Sequence, residues 1–80
     1  MTTDESDATA LREELRTVEE ELYDLRRGVA EVRQRLGDRS EGATDAAELA
    51  MILTSVEEQE ASIATLNARR DDLRRRLGEA

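Results

Sequence analysis

The sequence predicts an all-α fold, an antiparallel two-helix hairpin of coiled-coil type, two copies of which can pair into a four-helix bundle. Three observations carry that expectation. Large apolar residues recur at alternating steps of four and three in both halves of the chain. A polar, glycine-bearing stretch, GDRSEGAT, separates the halves and combines a helix stop with a helix start. In both halves acidic residues come early and basic residues late, so folding back sets each acidic part against a basic one.

The first helix is expected over residues 7–36, preceded by a disordered segment at 1–6. Its seam places Ala8, Leu15, Leu22, Val29 and Leu36 at heptad position a, and Leu11, Val18, Leu25 and Val32 at d. Ser6 or Asp7 can cap its start, and Gly37 follows the last seam residue, where a left-handed C-terminal residue is wanted. A turn is expected over 37–44. The second helix, expected over 45–77, opens on Asp45 with Glu48 three residues later, the pattern of a capping box. Its seam runs through Leu49, Ile52, Val56, Gln59, Ile63, Leu66, Arg70, Leu73 and Leu77, and residues 78–80 are expected to fray. Each helix would span about 45 to 50 Å at ~1.5 Å per residue.

Two seam positions in the second helix are polar. Gln59 can fix register or oligomeric state at some cost in stability. Arg70 can lay its stem over the seam and reach Glu14 with its head.

Charge order sets the orientation. With Val29 facing Ile52 and Leu25 facing Val56, the flanking pairs become Glu14 with Arg69, Arg35 with Glu48, and Arg26 with Glu60, while Arg12 falls near Arg74. A register one heptad along also sets Glu14 and Glu21 beside arginines, so charge fixes the antiparallel orientation more firmly than the register. Each exposed pair contributes only about 0 to 1 kcal/mol, enough to choose an orientation rather than to hold a fold.

Eighty residues allow one small domain, and a composition 40% charged and 38% hydrophobic, with Tyr23 the one aromatic residue and no proline, is that of solvated helices. The formal charge of -8 repels nucleic acid and anionic membrane and favours basic partners. The arginine-rich stretch NARRDDLRRRLGEA is interrupted by Asp71 and Asp72 and has no aromatic residue on which a base could stack. No histidine or cysteine, no glycine-rich phosphate loop and no nucleophile beside a base occur, so neither catalysis, a metal site nor a cofactor is expected. The acidic, polar N-terminus is unlike a signal peptide and no long apolar run follows, which leads to an expected cytoplasmic location.

A two-helix seam buries little, so a protein partner or a second copy of the chain, as a homodimer, is expected to supply more buried surface. The candidate partner-binding face lies on the second helix away from its seam: Ala47, Ala50, Thr54, Ala61, Ala64 and Ala68, widened by Met51 and Leu53. A plain solvated face of a good helix former has the same alanine content.

The first helix, read as EEELYDLRRGVAEVRQRL, resembles the antiparallel helical hairpin of actinobacterial anti-sigma factors that hold a sporulation sigma factor inactive with cyclic di-GMP. The ligand signature of that family runs Glu, Ser, Arg, Gln, Asp at steps of four, three, four and four. Glu19 and Arg26 occupy its first and third places here, while Tyr23, Ala30 and Gln34 depart from it. In the second helix Glu58 and Ser62 match the first two places, and Thr65, Arg69 and Leu73 depart. The resemblance implies sequestration of a protein, with Glu19, Arg26, Glu58 and Ser62 as candidate ligand residues; the departures speak against cyclic di-GMP itself. Secreted hairpins of the WXG type are similar in size, but their tryptophan-bearing turn is missing from GDRSEG.

The function expected is therefore a non-enzymatic protein-protein interaction module, an acidic regulator that sequesters a basic helical surface. The alternatives are a self-associating scaffold and a regulator responsive to a cyclic dinucleotide.

Overall fold

The computed structural model describes residues 3–38 and 45–79. They form two helices, α1 (Thr3–Asp38) and α2 (Ala46–Arg76), packed antiparallel into a rod of 65 × 17 × 16 Å. Leu15, Val18 and Leu22 from the first half of α1 cluster with Leu73 from the end of α2, and Leu11, Ile63, Leu66 and Leu77 pack against them. Leu22 and Leu73, at 2% and 0% exposure, are the best-buried residues, and Val29 and Val56 continue the buried seam toward the bend.

Helix ends depart from the sequence expectation in three places. α1 begins at Thr3, so the segment expected to be disordered is largely helical and Ser6 and Asp7 lie inside the helix rather than capping it. The first apolar seam residue marks where packing starts; the polar, acidic residues before it suit the positive end of a helix dipole and extend the helix beyond the packed part. Gly37 likewise lies within α1, which runs one residue further to Asp38; the rest of the expected turn, residues 39–44, lies outside the described residues.

The left-handed glycine stands at the other end of the hairpin. Gly78, at φ 75°, is the one positive-φ residue among those described. Its N–H donates to the Arg75 carbonyl at 3.0 Å, and the Glu79 N–H donates to the Arg74 carbonyl at 2.8 Å. These paired bonds form a Schellman closure, so residues 78 and 79, expected to fray, instead satisfy the last carbonyls of α2. At the start of α2, Asp45 takes the capping role read from the sequence: its Oδ1 accepts from the Ala47 N–H at 3.2 Å.

The register is corrected by one heptad. Four cross-helix links define it: Glu14 to Arg69, Glu19 to Arg74, Arg26 to Asn67 and Arg33 to Glu60. Glu14 and Arg69 pair as expected, but Arg26 meets Asn67 rather than Glu60, and Arg35 approaches Glu31 on its own helix at 4.0 Å. The seam layers then match Leu15 with Leu73, Leu22 with Leu66, Val29 with Gln59, and Val32 with Val56. This arrangement sets Leu77 against Leu11, gives Arg74 a carboxylate instead of Arg12, and moves Gln59 off Leu22. Arg70 keeps a mostly covered stem, but its head pairs with Asp71 at 3.2 Å, because Arg69 already occupies Glu14.

Candidate partner-binding surface

The seam is not filled evenly. Toward the bend, Val32, Leu36 and Ile52 are only half-buried. Leu49, read as a seam residue, is exposed because it lies level with the end of α1, and Leu53 beside it is 46% exposed.

The two flanks of the seam differ more sharply. On the closed flank, heptad position e of each helix meets its counterpart: Arg74 with Glu19 at 2.8 Å, Arg26 with Asn67 at 2.7 Å, and Arg33 with Glu60 at 2.8 Å. These bonds are spaced along the rod and tie its two helices together. On the open flank, position g meets g, and near the free ends Arg69 ties to Glu14, while Asp72 also accepts from Arg69 at 3.3 Å. Further toward the bend Glu21 faces Ser62 and Gly28 faces Ser55, pairs without a second charge to bridge, and Arg35 and Glu48 hold the last g positions.

A groove follows from those small residues. One stretch is lined by Leu25, Leu66, Glu21, Ala61, Ser62 and Thr65, and a second by Val32, Leu36, Ile52, Arg35 and Ser55. A Cβ placed on Gly28, between them along α1, would meet nothing within 4 Å. By register Gln59 lies at the same level on α2, and its Oε1 is buried without a hydrogen-bond partner among the described residues. Such an atom costs about 1 to 3 kcal/mol in desolvation that nothing within the hairpin returns.

The residues that sequence reasoning chose as a partner face are all exposed: Ala47, Ala50, Met51, Leu53, Thr54, Ala61, Ala64 and Ala68. They do not form one groove. They run along the outer side of α2, where Ala61 borders the open flank and Ala64 borders the closed flank beside Arg26 and Arg33. The hydroxyl of Thr54 donates to the Ala50 carbonyl at 2.9 Å, which satisfies it within its own helix and leaves its methyl group to the surface. Met51, at 73% exposure, projects on the side of the open flank by its heptad position.

The four residues chosen from the anti-sigma signature are not brought together. Glu19 and Arg26 stand on the closed flank, already bonded to Arg74 and Asn67, whereas Ser62 lines the open groove and Glu58 lies beside it by register. No composite ligand site results from them. Gly28 and Ser55 were overlooked in the sequence. Their signal was small size at g positions that face each other across the seam, which acquires meaning only once the register is known.

The flanks also differ in ion pairing. Among the described residues Glu21, Asp24, Asp38 and Glu58 border the open flank by heptad position and make no ion pair, and Glu31 there pairs with Arg27; on the closed flank Glu19 and Glu60 are neutralised by arginines and Glu57 is not. These four carboxylates lend the groove a negative potential, opposed at its bend end by Arg35.

Among the described residues no group of histidine, cysteine, aspartate and glutamate side chains is arranged to hold a metal ion, and no helix is long and apolar enough to cross a membrane. No protein-family model matches this chain, and comparison with curated proteins and with solved structures found no match.

Proposed function

We propose that this hairpin is a non-enzymatic protein-binding module, an acidic helical rod that engages a basic helical surface of another protein and thereby sequesters or regulates it. The observation that carries this reading is the unfinished seam. One flank is closed by polar links, while the other leaves an apolar groove and unpaired carboxylates facing outward. Surface area supports it as well. The chain exposes 6129 Å², where a compact protein of this size exposes about 4,800 Å². The excess exceeds the roughly 800 Å² that each partner buries in a standard interface.

The test is affinity capture from the source cells, followed by titration of the purified hairpin with whatever protein is recovered. A stoichiometric complex weakened by added salt is expected, since the surface is charged. A hairpin that sediments as a monomer and retains no protein contradicts the proposal.

The exposed Met51 and Leu53 beside the alanine face favour a second reading, in which two hairpins pair through α2 into a four-helix bundle. Ala61→Glu combined with Ala64→Glu then halves the mass in light scattering. An unchanged mass rejects self-association through that face.

A further inference from the structure

Resting on the protein-binding reading above, we infer that the open flank is the docking groove, and that its occupant is a single basic amphipathic helix that completes a three-helix bundle. Four features of the groove define that helix. Its apolar floor, made by Leu25, Val32, Leu36, Ile52 and Leu66, takes a seam of branched apolar side chains at steps of three and four. Its walls are low at Gly28, Ser55 and Ser62, which lets a third backbone approach closely. From Ile52 to Leu66 on α2 it is about 21 Å long at 1.5 Å per residue, the span of roughly four helical turns. Its rim carries Glu21, Asp24, Asp38 and Glu58, which make no ion pair among the described residues, so the occupant has lysine or arginine on both borders of its apolar stripe.

The buried Oε1 of Gln59 adds a specific demand. It lies level with the middle of the groove and accepts no hydrogen bond. A donor at the centre of the incoming helix, such as the amide of asparagine or the hydroxyl of serine, satisfies it once the Gln59 side chain turns from the seam toward the groove, and fixes the axial position of the occupant, as a polar residue in a coiled-coil seam does.

A second copy of the hairpin fits this groove poorly. Docked open flank to open flank about a twofold axis, it would set Glu21, Asp24, Asp38 and Glu58 against the same carboxylates of its partner, with no basic residue but Arg35 along that stretch to answer them. The closed flank is crossed by three polar links, Glu19 to Arg74, Arg26 to Asn67 and Arg33 to Glu60, which a third helix would have to displace.

The experiment titrates the full chain with a designed probe, a helical peptide of four turns with a leucine seam, one central asparagine and lysine borders. A peptide with glutamate borders serves as the control. The lysine peptide is expected to bind with a Kd below about 100 µM, the weak end expected of a small interface. Amide shifts in NMR spectra should concentrate at Gly28, Ser55, Ser62 and Thr65. Ser62→Arg should weaken binding at least tenfold, while Ala64→Arg, the same change on the other flank, should alter it less than twofold. Circular dichroism confirms that both variants keep their helicity. No binding of the lysine peptide, equal binding of the glutamate peptide, equal loss in the two variants, or association of the hairpin with itself through the open flank overturns the inference. The same variants separate this failure from that of the wider reading. A cellular partner that is lost with Ala64→Arg and kept with Ser62→Arg leaves a protein-binding module but not this groove, and a chain that binds no protein removes both.

Discussion

Leu73 offers the sharpest test of how the hairpin is held together. It is fully buried among Leu15, Val18 and Leu22, and no other described residue is as completely covered. Leu73→Ala removes three carbon groups worth about 0.8 kcal/mol each in transfer from water, and the partly collapsed cavity raises the cost to roughly 3 kcal/mol. A single seam in so small a scaffold supplies about 3 to 5 kcal/mol of net stability, so the substitution should consume most of it. Urea unfolding followed by helical ellipticity measures the loss. Met51→Ala, at a position 73% exposed, is the control and should change stability by less than about 0.5 kcal/mol. If both variants unfold at the same urea concentration, Leu73 does not sit in the core described and the packing of the free ends is wrong.

Gln59→Leu should stabilise the isolated hairpin by about 1 to 2 kcal/mol in the same assay, because it replaces a buried, unpaired carbonyl with an apolar side chain; a loss of stability would mean that Gln59 finds a partner within the hairpin. The register predicts that cysteines at positions 29 and 59 oxidise readily to an intramolecular disulfide, while cysteines at 29 and 52, one heptad away, do not. Preferential closure of the 29 and 52 pair, read by peptide mapping, would restore the register expected from charge alone.

Much of the fold was legible in the sequence because it rests on a period. The unbroken steps of four and three from Leu11 to Leu36 fixed the first seam, and Asp45 announced the second helix by the only signal a cap leaves in sequence, a short acceptor before an apolar run. Register was not legible in the same way. Shifting a heptad exchanges one apolar layer for another and one complementary charge pair for another, so the choice falls to a few layers, such as Leu11 against Leu77. Nor does glycine reveal its own conformation. Gly37 and Gly78 both follow a seam leucine, yet only Gly78 turns left-handed.

The candidate site was legible in kind but not in place. Exposed alanines on α2 could be read directly, since a helical period fixes which face they share. The groove depends on where Gly28 of α1 stands relative to Ser55 and Ser62 of α2, a relation between two helices that no local pattern encodes. Ion pairing had the same dependence. Whether Glu19 or Glu21 is neutralised follows from which flank each occupies, and only their neighbours across the seam decide it.

The chain doubles back and places its two ends side by side. Nitroxide labels at the exposed positions 16 and 75 measure it directly. The rod is 17 Å across, so a narrow distance distribution at about 20 Å is expected, taken at protein concentrations low enough to exclude pairs between molecules. A distance beyond about 60 Å, approaching the ~89 Å that one continuous helix would give, would contradict it.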